Sequence, residues 1–257
     1  MQNKIADSQF LSKVPAVTLA FWLTKIAATT LGETGGDAVT MSMNLGYLTG
    51  TLIFAIIFLV AVVVQIKRHS FNKWSYWFTV VATTTVGTTL ADFADRSLGI
   101  GYLGGTLLLS TLLVLSLFVW RITCGSIAVH SVNNRLTESF YWVTIMFSQT
   151  LGTALGDWTA DSEGLGYDGG ILLFVGALAI IWAASRFTSF SRTALFWAAF
   201  ILTRPLGAVV GDFLDKPVAS GGLALSRYSA SLTLALLIIA FLWLLPQRAA
   251  LKTATAS

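Results

Sequence analysis

Four stretches of this sequence, Leu45 to Ile66, Ser97 to Trp120, Gly169 to Ser185 and Tyr228 to Gln247, contain no Asp, Glu, Lys or Arg. A helix needs about 20 residues to cross a hydrocarbon core about 30 Å thick, so each stretch spans or nearly spans a bilayer. Four further runs alternate with them. Trp74 to Ala91 and Ser139 to Gly156 are uncharged, while Val14 to Gly32 and Thr193 to Gly211 are interrupted once each, by Lys25 and by Arg204. Lipid offers a backbone amide no partner, which leaves only helices or a closed barrel. Unbroken apolar runs lack the alternation of barrel strands. The sequence therefore predicts an all-α polytopic membrane bundle of eight transmembrane helices in one domain, residues 1–257.

Composition agrees, because 55% of the residues are apolar and 11% charged, whereas a soluble domain carries about a quarter charged residues. The formal net charge of +4 does not indicate nucleic acid, since the bases are scattered between apolar runs and form no patch. Lys4, Lys13, Lys67, Arg68, Lys73, Arg121, Arg135, Arg186, Arg192, Arg248 and Lys252 fall at the termini and after the second, fourth and sixth runs. The opposite connections hold Arg96, Lys216 and Arg227. That bias predicts both termini on the cytoplasmic side. Trp22, Trp77, Trp142 and Trp197, with Trp120, Trp182 and Trp243, are expected to form an aromatic belt at the same interface.

The chain also repeats itself. The odd runs end in ATTLGETGGD (28–37), GTTLADFAD (87–95), GTALGDWTAD (152–161) and GAVVGDFLD (207–215). Aligning Glu33, Asp92, Asp157 and Asp212 gives four tandem helical hairpins, at residues 14–68, 73–121, 138–186 and 193–248. Trp77, Trp142 and Trp197 each precede their acid by 15 residues, whereas Trp22 lies 11 before Glu33. Each even run opens near a tyrosine, Tyr47, Tyr102, Tyr167 or Tyr228, with small residues such as Gly104, Gly105, Gly169 and Gly170 after it. Every repeat crosses the membrane an even number of times, so the pseudosymmetry axis is expected along the membrane normal. The chain resembles a bacterial family of membrane proteins of unassigned function built from tandem two-helix repeats. That resemblance implies a bacterial inner-membrane location and transfers no catalytic or binding residue.

Eight of the twelve acids lie in these motifs: Glu33, Asp37, Asp92, Asp95, Asp157, Asp161, Asp212 and Asp215. Gathered from four repeats, they repel one another unless a cation compensates. Carboxylates with threonine hydroxyls and glycine carbonyls suit hard divalent ions, with Mn or Mg favoured here and Glu33, Asp92, Asp157 and Asp212 as the ligands. His69, His130 and Cys124 fall in or beside cytoplasmic connections, so no haem, zinc or copper cofactor is expected. The second acids, Asp37, Asp95, Asp161 and Asp215, equally suit helix caps.

Lys25 and Arg204 each precede a motif acid by eight residues, with Thr84 and Gln149 at the same place in the middle repeats. This layer reads either as a gate whose charges exchange partners or as a static ion pair. The resulting expectation is a membrane transporter for a hard divalent cation and not an enzyme. The alternatives are a cation channel with an acidic ring and, behind it, an intramembrane aspartyl-type hydrolase. The expected partners are the lipid bilayer and an inorganic cation, with no nucleic acid.

Overall fold

The computed structural model describes residues 11–162 and 164–251, so Lys4 and Lys252 lie outside the described residues. Eight long helices dominate it: α1 Leu19–Asp37, α2 Gly46–Lys67, α3 Lys73–Asp92, α4 Gly101–Cys124, α5 Arg135–Asp157, α6 Gly166–Phe187, α7 Arg192–Asp215 and α8 Arg227–Leu244. Two short strands, β1 Leu11–Pro15 and β2 Ala249–Leu251, pair antiparallel. Five helices, α2, α4, α6, α7 and α8, are long and apolar enough to cross a membrane.

The helices form two concentric layers. Inner helices α1, α3, α5 and α7 pack in a closed ring, each on the next and α7 back on α1. Each outer helix packs on the inner helix of the following repeat rather than along its own hairpin partner: α2 on α3, α4 on α5, α6 on α7 and α8 on α1. The hairpins expected from the sequence are thus connectivity units, not packing units. Polarity follows the layers. Outer helices expose large apolar side chains such as Ile56, Leu107, Leu172 and Ile180, whereas the inner ring buries Thr24, Thr83, Thr84, Thr153 and Gln149. An apolar exterior around a polar interior is the distribution expected of a membrane protein.

The inner helices approach closely at a glycine in the same register on each, and α7 does so again at Gly211, where a Cβ would lie 2.6 Å from Glu33 Cβ. A Cβ on Gly32 would lie 2.4 Å from Thr84 Cγ2, on Gly152 2.0 Å from Arg204 Cγ, on Gly207 2.2 Å from Thr29 Oγ1, and on Gly87 3.0 Å from the Gln149 backbone. Such small-residue crossings let helices touch where no hydrophobic drive exists between them. Many ring threonines bond the carbonyl one turn back, as Thr24 does to Ala20 (2.7 Å) and Thr150 to Met146 (3.0 Å).

Two expectations need correction. Val14 belongs to β1, and α1 starts only after Thr18, whose side chain caps Phe21 N. α1 then continues beyond Gly32 through both acids to Asp37. In the first three repeats the α-helix ends at Asp37, Asp92 or Asp157 and a single π-helical turn follows, Ala38–Ser42, Phe93–Ser97 and Trp158–Ser162, the latter two containing Asp95 and Asp161. The tryptophan belt is also overturned in large part. Trp77, Trp120, Trp142 and Trp197 are buried in a core with Phe21, Tyr76, Tyr141 and Phe200, leaving Trp182 and Trp243 facing outward. Trp22 is partly buried against the same core.

β1 closes the same end. Lys13 Nζ donates to the carbonyls of Gln65 and Ile66 (3.1 Å each) at the end of α2, and pairs with Glu138 at the start of α5. Ala16 N donates to Arg248 O (2.8 Å) beside β2. The strands therefore fasten the two ends of the described chain together.

Because its Cβ has nowhere to go, Gly152→Ala is expected to lower the melting temperature in detergent by roughly 2 to 12 °C, the range for an overpacking cost of about 1–3 kcal/mol. Gly176→Ala, with nothing within 4 Å of its added methyl, leaves it unchanged or higher. Thermal unfolding of the two variants beside the parent checks this.

Candidate functional site

The glycine crossings fix which residues of the four repeats correspond. Gly32, Gly87, Gly152 and Gly207 are spaced by 55, 65 and 55 residues, and the same spacing joins Trp22, Trp77, Trp142 and Trp197. Five residues after each glycine stands an aspartate: Asp37, Asp92, Asp157 and Asp212. Glu33 is therefore not the counterpart of the other three acids. TTLGE in the first repeat imitates TTLAD in the second, which slips a sequence alignment by four residues, and Trp22 lies the regular 15 before Asp37.

These four aspartates form one layer of the inner ring and are 1, 2, 3 and 4% exposed, respectively. Two bases stitch them in pairs. Arg96 Nε lies 2.9 Å from Asp92 Oδ1 and its Nη2 lies 3.1 Å from Asp157 Oδ2. Lys216 Nζ lies 2.7 Å from Asp37 Oδ2 and 2.9 Å from Asp212 Oδ1. Each base joins its own repeat to the next, and Arg96 and Lys216 occupy equivalent places two repeats apart. Burial opposes the Lys216 charge, but the Asp212, Asp37 and Asp215 carboxylates outweigh it and hold the ammonium well above the usual lysine range.

One turn deeper lie Glu33 and its counterparts Thr88, Thr153 and Ala208. Arg204 reaches up into this layer. Its Nη1 and Nη2 both lie 3.0 Å from Glu33 Oε2, and Nη2 also donates to Thr88 Oγ1 (2.5 Å) and to Thr153. The pair is closed off from solvent, with the Arg204 side chain 0% and the Glu33 side chain 3% exposed. Carboxylate oxygens of Glu33, Asp157 and Asp212 lie within 4.8 Å of one another, as do those of Asp37, Asp212 and Asp215, so the two layers touch.

The next layer holds Thr29, Thr84, Gln149 and Arg204, the residues met by the glycines. Thr84 Oγ1 and both amide atoms of Gln149 are buried without a hydrogen-bond partner among the described residues. Lys25 is not equivalent to Arg204. It sits another turn down, where the other repeats place Val80, Ile145 and Phe200, with its Nζ 4.2 Å from the Phe200 ring centre and 3.4 Å from Thr203 Oγ1. Lys25 and Arg204 therefore do not form one gate layer, and Thr84 and Gln149 align with Arg204 alone.

The second acids diverge. Asp215 is bound by Arg227 Nε (3.1 Å), which also lies 3.7 Å from Asp37. Asp95 is buried against Gly105, and neither carboxylate oxygen has a partner among the described residues. Asp161 is exposed and, among the described residues, accepts a hydrogen bond from the Tyr102 hydroxyl alone, at 3.4 Å, so it stands apart from the clustered acids. Sequence reasoning missed the bridging by Arg96 and Lys216, although each base stands four residues after its aspartate, a helical ion-pair spacing.

Four segments of the chain, residues 20–70, 75–125, 140–190 and 195–249, match one repeat family, and their first residues are offset by the same 55, 65 and 55. The chain belongs to the family described as Repeat of Unknown Function (DUF347). Each family repeat comprises one inner helix and the outer helix after it, so each contributes one ring glycine and one ring aspartate. Neither a curated protein nor a solved structure matches the chain.

Removing one member of the Arg204–Glu33 pair leaves a buried charge uncompensated, which costs about 3–5 kcal/mol. Glu33→Gln and Arg204→Met are each expected to destabilise by that order, and the double variant by clearly less than their sum. A double-mutant cycle on unfolding in detergent measures the coupling.

Proposed function

We propose that this protein is a transporter for a hard divalent cation, Mn or Mg favoured, that crosses the bacterial inner membrane eight times with both termini cytoplasmic. In this reading α1, α3 and α5, too polar to face lipid, cross inside a jacket of apolar helices. The observation that carries the proposal is the charge balance of the ring. Asp37, Asp92, Asp157, Asp212 and Asp215 face three bases, Arg96, Lys216 and Arg227, so the layer counted as ionised is two positive charges short. One divalent cation supplies that deficit, and an all-oxygen donor set suits a hard ion. Arg96 and Lys216 act as tethered cations that release carboxylate oxygens to the arriving ion. Arg204, locked on Glu33 beneath, is the barrier between this vestibule and the aromatic end.

A cation channel is the second reading, favoured by the placement of one aspartate per repeat around the ring. The Arg204 guanidinium across the ring interior weighs against continuous conduction. An intramembrane aspartyl-type hydrolase has less support, because a catalytic acid pair shares a proton between its carboxylates, whereas here a base sits between the members of each pair. The protein is therefore read as non-enzymatic, without a resident cofactor.

Divalent-ion flux into proteoliposomes tests the assignment. Mn or Mg flux above protein-free vesicles is expected, falling about tenfold or more in Asp37→Asn and Asp157→Asn, as loss of about 1.4 kcal/mol of ion binding gives. Exposed Asp161→Asn should transport as the parent does. Absence of divalent flux, or flux indifferent to both ring substitutions, sinks the proposal, and ion currents far above carrier turnover favour the channel.

A further inference from the structure

One quarter of the outer layer is unlike another. On α4, Leu113 is buried and Leu117 packs against the core, whereas their counterparts 65 residues later on α6, Leu178 and Trp182, line an open cleft and Trp182 is 64% exposed. The cleft runs between α1, α6 and α7, has a volume of about 600 Å³, and is walled chiefly by apolar side chains such as Ile26, Leu178 and Phe196. Its polar and basic residues are unevenly placed. Arg192 and His130 stand at the end near β1, and Thr203 at the inner end. Among the described residues, no acid lines it.

We propose that this cleft binds an anionic phospholipid, with one acyl chain along α7 and the headgroup phosphate at Arg192 and His130. Length supports this occupant. Arg192 and Thr203 are 11 residues apart on one helix, about 16 Å at 1.5 Å per residue, which is the depth of one leaflet of a hydrocarbon core about 30 Å thick. Charge supports it too. Arg192 donates one hydrogen bond to Ser185 O and forms no ion pair among the described residues, which leaves donors free for a phosphate. A basic pocket between membrane helices at headgroup depth, beside an outward-facing indole, is the arrangement that holds anionic lipid heads. The inner end of the chain meets Thr203, the hydroxyl bonded to Lys25 Nζ, so the lipid tail seals that buried ammonium from the side. The site does not depend on the cation reading, and its test involves no transport.

Native mass spectrometry of the full-length protein, exchanged into equimolar phosphatidylglycerol and phosphatidylcholine, reads the site directly. The parent is expected to retain one phosphatidylglycerol in preference to phosphatidylcholine. Arg192→Glu, an exposed substitution, lowers that preference about fivefold or more, the factor that about 1 kcal/mol per basic residue near an anionic surface represents. Ala199→Trp fills the cleft and removes the bound lipid altogether. Equal retention of the two lipids by the parent, or a phosphatidylglycerol preference that survives Arg192→Glu, overturns the proposal, and the latter result decides the matter even where Ala199→Trp fails to fold.

Discussion

Four glycines, one on each inner helix, set the distance at which the ring closes, and the placement of every charge follows from that distance. With Gly152 against Arg204 and Gly207 against Thr29, backbones approach until side chains from neighbouring repeats share the same space. Polar groups brought together this tightly, away from water, must satisfy one another. Arg204 therefore gathers Glu33, Thr88 and Thr153 around one guanidinium, and Arg96 and Lys216 each hold two aspartates.

The result is a fourfold arrangement with a twofold distribution of charge. Tryptophan, glycine and aspartate recur in every repeat, whereas the bridging bases occur only in the second and fourth. Two bases serve four acids because each base spans the boundary between its own repeat and the next. Symmetry breaks further in the interior. Glu33 stands where the other repeats have threonine or alanine, and Arg204 where they have threonine or glutamine, so a single ion pair occupies the middle of an otherwise neutral polar layer.

Much of this was legible in the chain. Eight helices, their alternation of character and the recurrence of an acid at the end of each odd run follow from the run lengths and the absence of charge. The convergence of the acids follows from the two helices per repeat, which return every inner helix to the same orientation. The first repeat was misread because ETGGD contains two acids and the nearer one sits in the more familiar-looking motif; Trp22, 15 residues before Asp37, held the correct register. Burial of Trp77 and Trp142 was not legible, since depth along a helix is encoded by position but the direction a side chain faces depends on the neighbour. Nor does a repeat pattern say whether an outer helix covers its own inner helix or the next one.

That last feature bears on assembly. Because α2, α4 and α6 each cover the inner helix that follows them, the growing chain can shield each new repeat as it emerges, with one exception. The apolar cover of α1 is α8, the last of the eight described helices in chain order. α1 must therefore wait, one flank bare, until the fourth repeat has been made, and the clasp of β1 with β2 can form only then. Closure of the cover therefore comes after all four repeats, and a chain cut short before α8 leaves α1 uncovered.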